Sequence, residues 1–279
     1  MFRLFKRLII TGSVGYFGIV VVMMFLETML MYPAPNPQDG DWSPSWLKFE
    51  EVTVASDDGV KIHGWFCEHP SPQGVLMLCH GNGEHVAFMA EELAYLRQRF
   101  SLSVLAFDYR GYGKSEGTPF ESGILKDGEA MQEWLAERTS RTKDEVYLYG
   151  RSLGGAVAVH LAAKNGTQGL ILDRTFSSMV DVAASHYPWL PVRFVLRNRY
   201  ASAKWIARYQ GPLIQYHGWP DEIVPFQFGK RLYDSCPSEM KQFVESNDLT
   251  HNGAWPEDFY GELAEFFART SGLQDAEKK

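Results

Sequence analysis

Cysteine is scarce in this sequence: Cys67, Cys79 and Cys236 stand far apart in 279 residues, with no CxxC or Cys/His spacing. That excludes a disulfide scaffold and a structural zinc site as organising devices. Cys67 and Cys79 lie in apolar, strand-like runs and read as small buried hydrophobes, whereas Cys236 could be exposed. Positive charge is also in deficit. With 27 basic against 34 acidic residues and a net charge of −7, there is no global electrostatic reason to expect nucleic-acid binding. No Gly-x-Gly-x-x-Gly follows a strand and opens a helix, so nothing requires a dinucleotide cofactor. There is no internal repeat.

Apolar residues are abundant at the N-terminus. Leu8 to Leu26 is a run of 19 residues without a charge, preceded by Arg3, Lys6 and Arg7 and followed by Glu27 and the Pro-rich stretch Tyr32 to Pro37. That length can cross a bilayer core. No Ala-x-Ala-type cleavage site follows, so residues 1–31 are expected to be an uncleaved membrane anchor and 32–45 a Pro-rich linker. The basic flank predicts a cytoplasmic N-terminus, with the remaining chain outside the cytoplasm, periplasmic or luminal.

The rest, about 230 residues, is the right size for one α/β domain stable without disulfides. Phe49–Ala55 and Val60–Cys67 alternate around the turn cluster Ser56–Gly59 and read as an antiparallel hairpin. Gly74–Cys79, Leu102–Phe107, Val146–Tyr149, Leu170–Leu172, Pro212–His217 and Lys241–Glu245 read as further strands. Helices are expected up to about Phe100 and over Ile124–Arg138, the run after Gly154, Phe226–Tyr233 and Pro256–Arg269. Strands alternating with helices imply a mostly parallel sheet covered on both faces. Residues 46–270 form this domain and 271–279 a polar tail. Within it, 174–211 loses simple alternation and becomes aromatic and basic, as an inserted cap of short helices would. Its arginines and aromatics could meet an anionic lipid surface. The absence of one charged helical face favours a solvated cap.

The chain is organised around Gly150-Arg151-Ser152-Leu153-Gly154-Gly155, placed between an apolar strand and a helix. A strand-to-helix turn that sharp exposes one side chain at its tip and needs small neighbours. A second copy of the five-residue pattern, Gly113-Lys114-Ser115-Glu116-Gly117, follows a polar loop and runs into Thr118-Pro119, so context favours Ser152. A serine hydroxyl needs a base, and the base needs a carboxylate to fix its tautomer. Such groups belong on loops past the C-terminal ends of strands, in the order Ser, acid, His. Asp221 meets that requirement, with Glu222 and Asp173 as rivals. His251 meets it among eight histidines, His217, His186 and His160 preceding the acid or lying in helix. The backbone amides of Leu153 and Asn82 are the expected donors to an oxyanion, and His80 is expected to be structural.

Together His80-Gly81-Asn82-Gly83, Asp108 to Ser115, Gly150 to Gly155, Asp221-Glu222-Ile223-Val224-Pro225 and His251-Asn252 resemble the α/β-hydrolase superfamily. Within it, the chain is similar to the Bem46-like serine hydrolases, which include the α/β-hydrolase domain-containing proteins numbered 12, 13 and 17. The resemblance covers roughly Trp46 to Ala268. It implies an α/β-hydrolase fold, a Ser152, Asp221, His251 triad, no metal or organic cofactor, and hydrolysis of a carboxylic ester or thioester of a small-molecule or lipid acyl substrate. The chain lacks the Cys-rich N-terminal cluster of depalmitoylating relatives. Two alternatives stand beside this reading: a serine peptidase of the prolyl-oligopeptidase type, and a catalytically silent membrane scaffold.

Overall fold

Eight strands make one sheet in a computed structural model that describes residues 2–271. They are β1 (Glu50–Ala55), β2 (Lys61–Cys67), β3 (Gly74–Cys79), β4 (Leu102–Phe107), β5 (Tyr147–Arg151), β6 (Leu170–Asp173), β7 (Leu213–Gly218) and β8 (Lys241–Ser246). Their spatial order is β1-β2-β4-β3-β5-β6-β7-β8. The hairpin β1–β2 is antiparallel and joins β4 antiparallel, and every other pairing is parallel. Alternation in β1 and the apolar composition of β3 and β4, interrupted in β4 by Ser103, account for this placement. β1 has one buried face, whereas every residue of β3 and β4 is buried.

The helices are α1 (Phe2–Met31), α2 (Ala90–Arg99), α3 (Glu121–Arg138), α4 (Leu153–Asn165), α5 (Met179–His186), α6 (Val192–Val195), α7 (Ser202–Ile206), α8 (Phe226–Asp234) and α9 (Glu257–Ser271). Val75, Met77 and Cys79 of β3 pack with α3, α4 and α8 on one face. Leu76 and Leu78 pack with α2 and α9 on the other, as a period of two dictates. α5, α6 and α7 occupy the insertion after β6, where short cap helices were expected. The polar tail expected at 271–279 lies, beyond Ser271, outside the described residues.

All three cysteines are free and buried. Cys236 departs from its expected exposure because its thiol turns inward to the Tyr209 carbonyl, 3.7 Å away. Burial pushes the Cys67 thiol up to about 12. Two residues of the largely exposed stretch 32–45 are anchored on the domain: the Tyr32 hydroxyl reaches Tyr200 Oη at 2.9 Å, and Trp42 stacks on His85.

α1 is long and apolar enough to cross a membrane and is almost wholly exposed. Its C-terminal turns instead meet the cap. Val20 packs with Leu190 and Val192, and Glu27, buried and the one charge in this helix after Arg7, accepts four hydrogen bonds from Arg197 and Asn198.

Candidate active site

The strand-to-helix turn at the end of β5 is set by close packing. A Cβ on Gly154 would strike the Cys79 and His80 carbonyls, and one on Gly150 would strike the Gly154 backbone, so both positions exclude larger residues. Ser152 itself holds φ 51° and ψ −115°, a strained conformation for a residue with a Cβ. Its hydroxyl is 3.1 Å from His251 Nε2. His251 Nδ1 lies 3.0 and 2.9 Å from the two Asp221 carboxylate oxygens. Ser152, Asp221 and His251 follow β5, β7 and β8, whose parallel arrangement brings their C-terminal loops to one edge of the sheet.

The Asp221 carboxylate also accepts the Ile223 and Val224 backbone N–H groups at 3.0 and 2.7 Å, which fixes its aim. Of its rivals, Glu222 is exposed. Asp173 is engaged by Arg174, at 2.8 and 2.7 Å, and by the Trp255 indole at 3.1 Å. Ser115 is a turn residue whose hydroxyl donates to the Asp108 carbonyl at 2.6 Å and accepts the His63 N–H at 2.8 Å. His80 is fully buried with Nδ1 2.8 Å from the Gly81 carbonyl, and burial lowers its pKa.

Leu153 opens α4, so its N–H is among those a helix leaves unpaired. Asn82 lies in the loop after β3 beside Ser152, and a Cβ on neighbouring Gly81 would sit 3.7 Å from Ser152 Cβ. Ser152, Leu153, Asn82 and His251 open onto one cavity of about 810 Å³, within the roughly 300–1,000 Å³ range of small-molecule sites. The cap, through Phe176, Val182 and Leu190, and the inner face of α1 line the rest of it. Among the described residues no group of His, Cys, Asp and Glu has the makings of a metal site.

Residues 70–206 match the family model described as "Serine aminopeptidase, S33". The "Alpha/beta hydrolase domain-containing protein WAV2" of Arabidopsis thaliana is 30% identical over 267 residues, covering 88% of this chain and 87% of that protein. The chain belongs to the α/β-hydrolase superfamily. This hydrolase is also 27% identical over 279 residues to the "Uncharacterized membrane protein YNL320W" of Saccharomyces cerevisiae, covering 96% of this chain and 98% of the other. Its fold superposes on the esterase Pf2001 of Pyrococcus furiosus with a TM-score of 0.71 at 20% identity, over 86% of this chain and 100% of that one.

The α/β-hydrolase carries two ionic braces that pattern reading did not reveal. Arg151 binds Glu84 at 2.7 Å and Glu92 at 3.2 Å, while Glu84 accepts the Gly81 N–H at 2.7 Å, tying the serine turn to the Asn82 loop. Burial works against the Glu84 charge, but the Arg151 guanidinium, nearby His80 and the Gly81 N–H together outweigh it and hold the carboxyl below its ordinary value. Arg174, buried and at φ 46°, donates to the Thr250 and Gly253 carbonyls at 3.1 and 2.8 Å. It thereby clamps the loop that carries His251. The spacing of Glu84 three residues after Gly81 was the one available signal.

Proposed function

We propose that this chain is a membrane-anchored serine hydrolase that cleaves a carboxylic ester or thioester through an acyl-enzyme. The carrying observation is the Ser152 Oγ to His251 Nε2 approach at 3.1 Å with the Asp221 carboxylate behind Nδ1. In this reading Ser152 Oγ attacks the acyl carbonyl carbon as His251 Nε2 takes its proton, and Nδ1–H donates to Asp221 throughout. The oxyanion is met by the Leu153 and Asn82 amides. Collapse expels the alcohol or thiol, which leaves with the proton from His251. A water activated by His251 then frees the acid and restores Ser152.

A peptidase reading draws on the description of the matching family model. An aminopeptidase needs a carboxylate for the substrate's ammonium group. The two carboxylates lining the cavity, Glu27 and Glu84, are already engaged by Arg197 with Asn198 and by Arg151. The apolar lining suits an acyl chain better. Arg3, Lys6 and Arg7 before the apolar run Leu8–Leu26 support a cytoplasmic N-terminus with the catalytic domain on the other side of the membrane.

Fluorophosphonate labelling tests the central claim: the unaltered chain is expected to react at one site, and Ser152→Ala to lose both labelling and ester turnover. Normal labelling of that variant sinks the proposal. Turnover of aryl esters with peptide anilides left untouched is the outcome that separates the two readings.

A further inference from the structure

α1 is more than a tether. Its cavity-lining residues Val20, Met23, Met24, Glu27, Leu30 and Met31 recur at intervals of three and four, so one helical face runs as a continuous wall past the site. Val22, Phe25 and Met29 on the opposite face are exposed, Phe25 by 83%. The helix ends at the reaction centre: the Met31 carbonyl accepts the Asn82 side-chain amide at 2.6 Å. Glu27 fixes the helix to the cap through Arg197 and Asn198, and the Arg197 guanidinium also caps the Met24 carbonyl at 2.9 Å.

The length of α1 relates this wall to the bilayer. Thirty residues span about 45 Å at a rise of roughly 1.5 Å each, against a hydrocarbon core of about 30 Å. With Arg3, Lys6 and Arg7 kept at the cytoplasmic surface, a crossing of about 20 residues that starts at Leu8 ends near Glu27, so the wall from Val20 to Glu27 lies in the half of the hydrocarbon core next to the catalytic domain. The Tyr16 hydroxyl donates to the Trp189 carbonyl at 2.8 Å, which carries the exposed cap residues Trp189 and Phe194 into the same apolar layer.

We propose that α1 forms the acyl-chain wall of the active site, and that the substrate is an acyl lipid of the leaflet next to the catalytic domain. The lipid's chain lies along α1 between Val20 and Met31 while its ester or thioester carbonyl reaches Ser152. This rests on the serine-hydrolase reading and names its substrate class.

The test uses the full chain in phosphatidylcholine vesicles, with fluorophosphonate labelling of Ser152 reporting an assembled site. The readout is the ratio of kcat/KM for p-nitrophenyl palmitate to that for p-nitrophenyl acetate. Met23→Trp and Leu30→Trp narrow the wall and are expected to lower that ratio about tenfold or more, while Phe25→Trp on the outer face leaves it unchanged. Should both tryptophans disturb labelling, Met23→Ala widens the wall instead and is expected to shift the preference toward longer chains. Palmitate ester within the vesicle bilayer is expected to turn over faster than the same ester carried on albumin. An unchanged ratio in wall variants that label normally, or equal turnover from the two sources, overturns this proposal and leaves the hydrolase reading intact. No labelling of the unaltered chain overturns both.

Discussion

At the scale of single residues, the site depends on side chains held by groups that never meet substrate. Asp221 illustrates it: one carboxylate receives His251 Nδ1 and the N–H groups of Ile223 and Val224. Asp221→Asn keeps an oxygen for those N–H groups but turns an amide donor on His251 and forces the wrong tautomer. The expected outcome is ester turnover lowered on the order of 10⁴-fold with a melting temperature close to that of the unaltered protein, read by stopped assay and circular dichroism. Arg174 acts through structure. Its removal leaves Asp173 buried beside a single indole donor, so Arg174→Ala is expected to cost about 3–5 kcal/mol in denaturant unfolding. Pairing it with Asp173→Asn is expected to recover part of that loss without restoring full turnover, because the Thr250–Gly253 loop still lacks its clamp. Chain order and strand-end position made Ser152, Asp221 and His251 legible in the sequence. Arg174 and Glu84 were not, because an ionic brace is a property of loops from separate strands and leaves no periodic trace.

At the scale of elements, runs with a clear period were readable and those shaped by contacts were not. β3 and β4 fall where their largely apolar runs place them, and the alternating pair β1 and β2 forms the expected hairpin. The apolar run at Leu8–Leu26 was legible as a long apolar helix, and the expected bounds 1–31 match α1, but its seat against the cap was hidden. That seat depends on Glu27, a charge that reads as the end of a span until Arg197 and Asn198 are seen around it. This latch is testable by stability. Glu27→Ala leaves the Arg197 and Asn198 backbone donors without their acceptor at the join of α1 and the cap, an expected loss of about 1–3 kcal/mol. Trypsin cleavage after Arg193 and Arg197 in the full-length protein is the measurement, and it is expected to quicken in Glu27→Ala and to stay slow in Phe25→Ala, which alters only the outer face of α1.

At the scale of the whole molecule, the proposed orientation across the membrane decides which leaflet the proposed acyl-chain wall would draw on, because α1 and the cap are joined. Basic residues flank the apolar run Leu8–Leu26 only on its N-terminal side, as Arg3, Lys6 and Arg7, while Asp39 and Asp41 are the first charges after Glu27. That asymmetry favours retaining the N-terminus in the cytoplasm. The burial of Cys67, Cys79 and Cys236 makes the protein's own thiols silent toward a bulky reagent, so one introduced thiol reports topology cleanly. Asp57, with an 84% exposed side chain, is a suitable position. Asp57→Cys is expected to react with a membrane-impermeant maleimide in intact spheroplasts without permeabilisation. Exchanging Arg3, Lys6 and Arg7 for serine while introducing Asn36→Lys and Gln38→Lys is expected to divide or reverse the population, so that labelling then requires permeabilised membranes. Labelling of Asp57→Cys only after permeabilisation in the unexchanged chain overturns the outward orientation, and with it the choice of leaflet, while leaving the wall formed by α1 untouched.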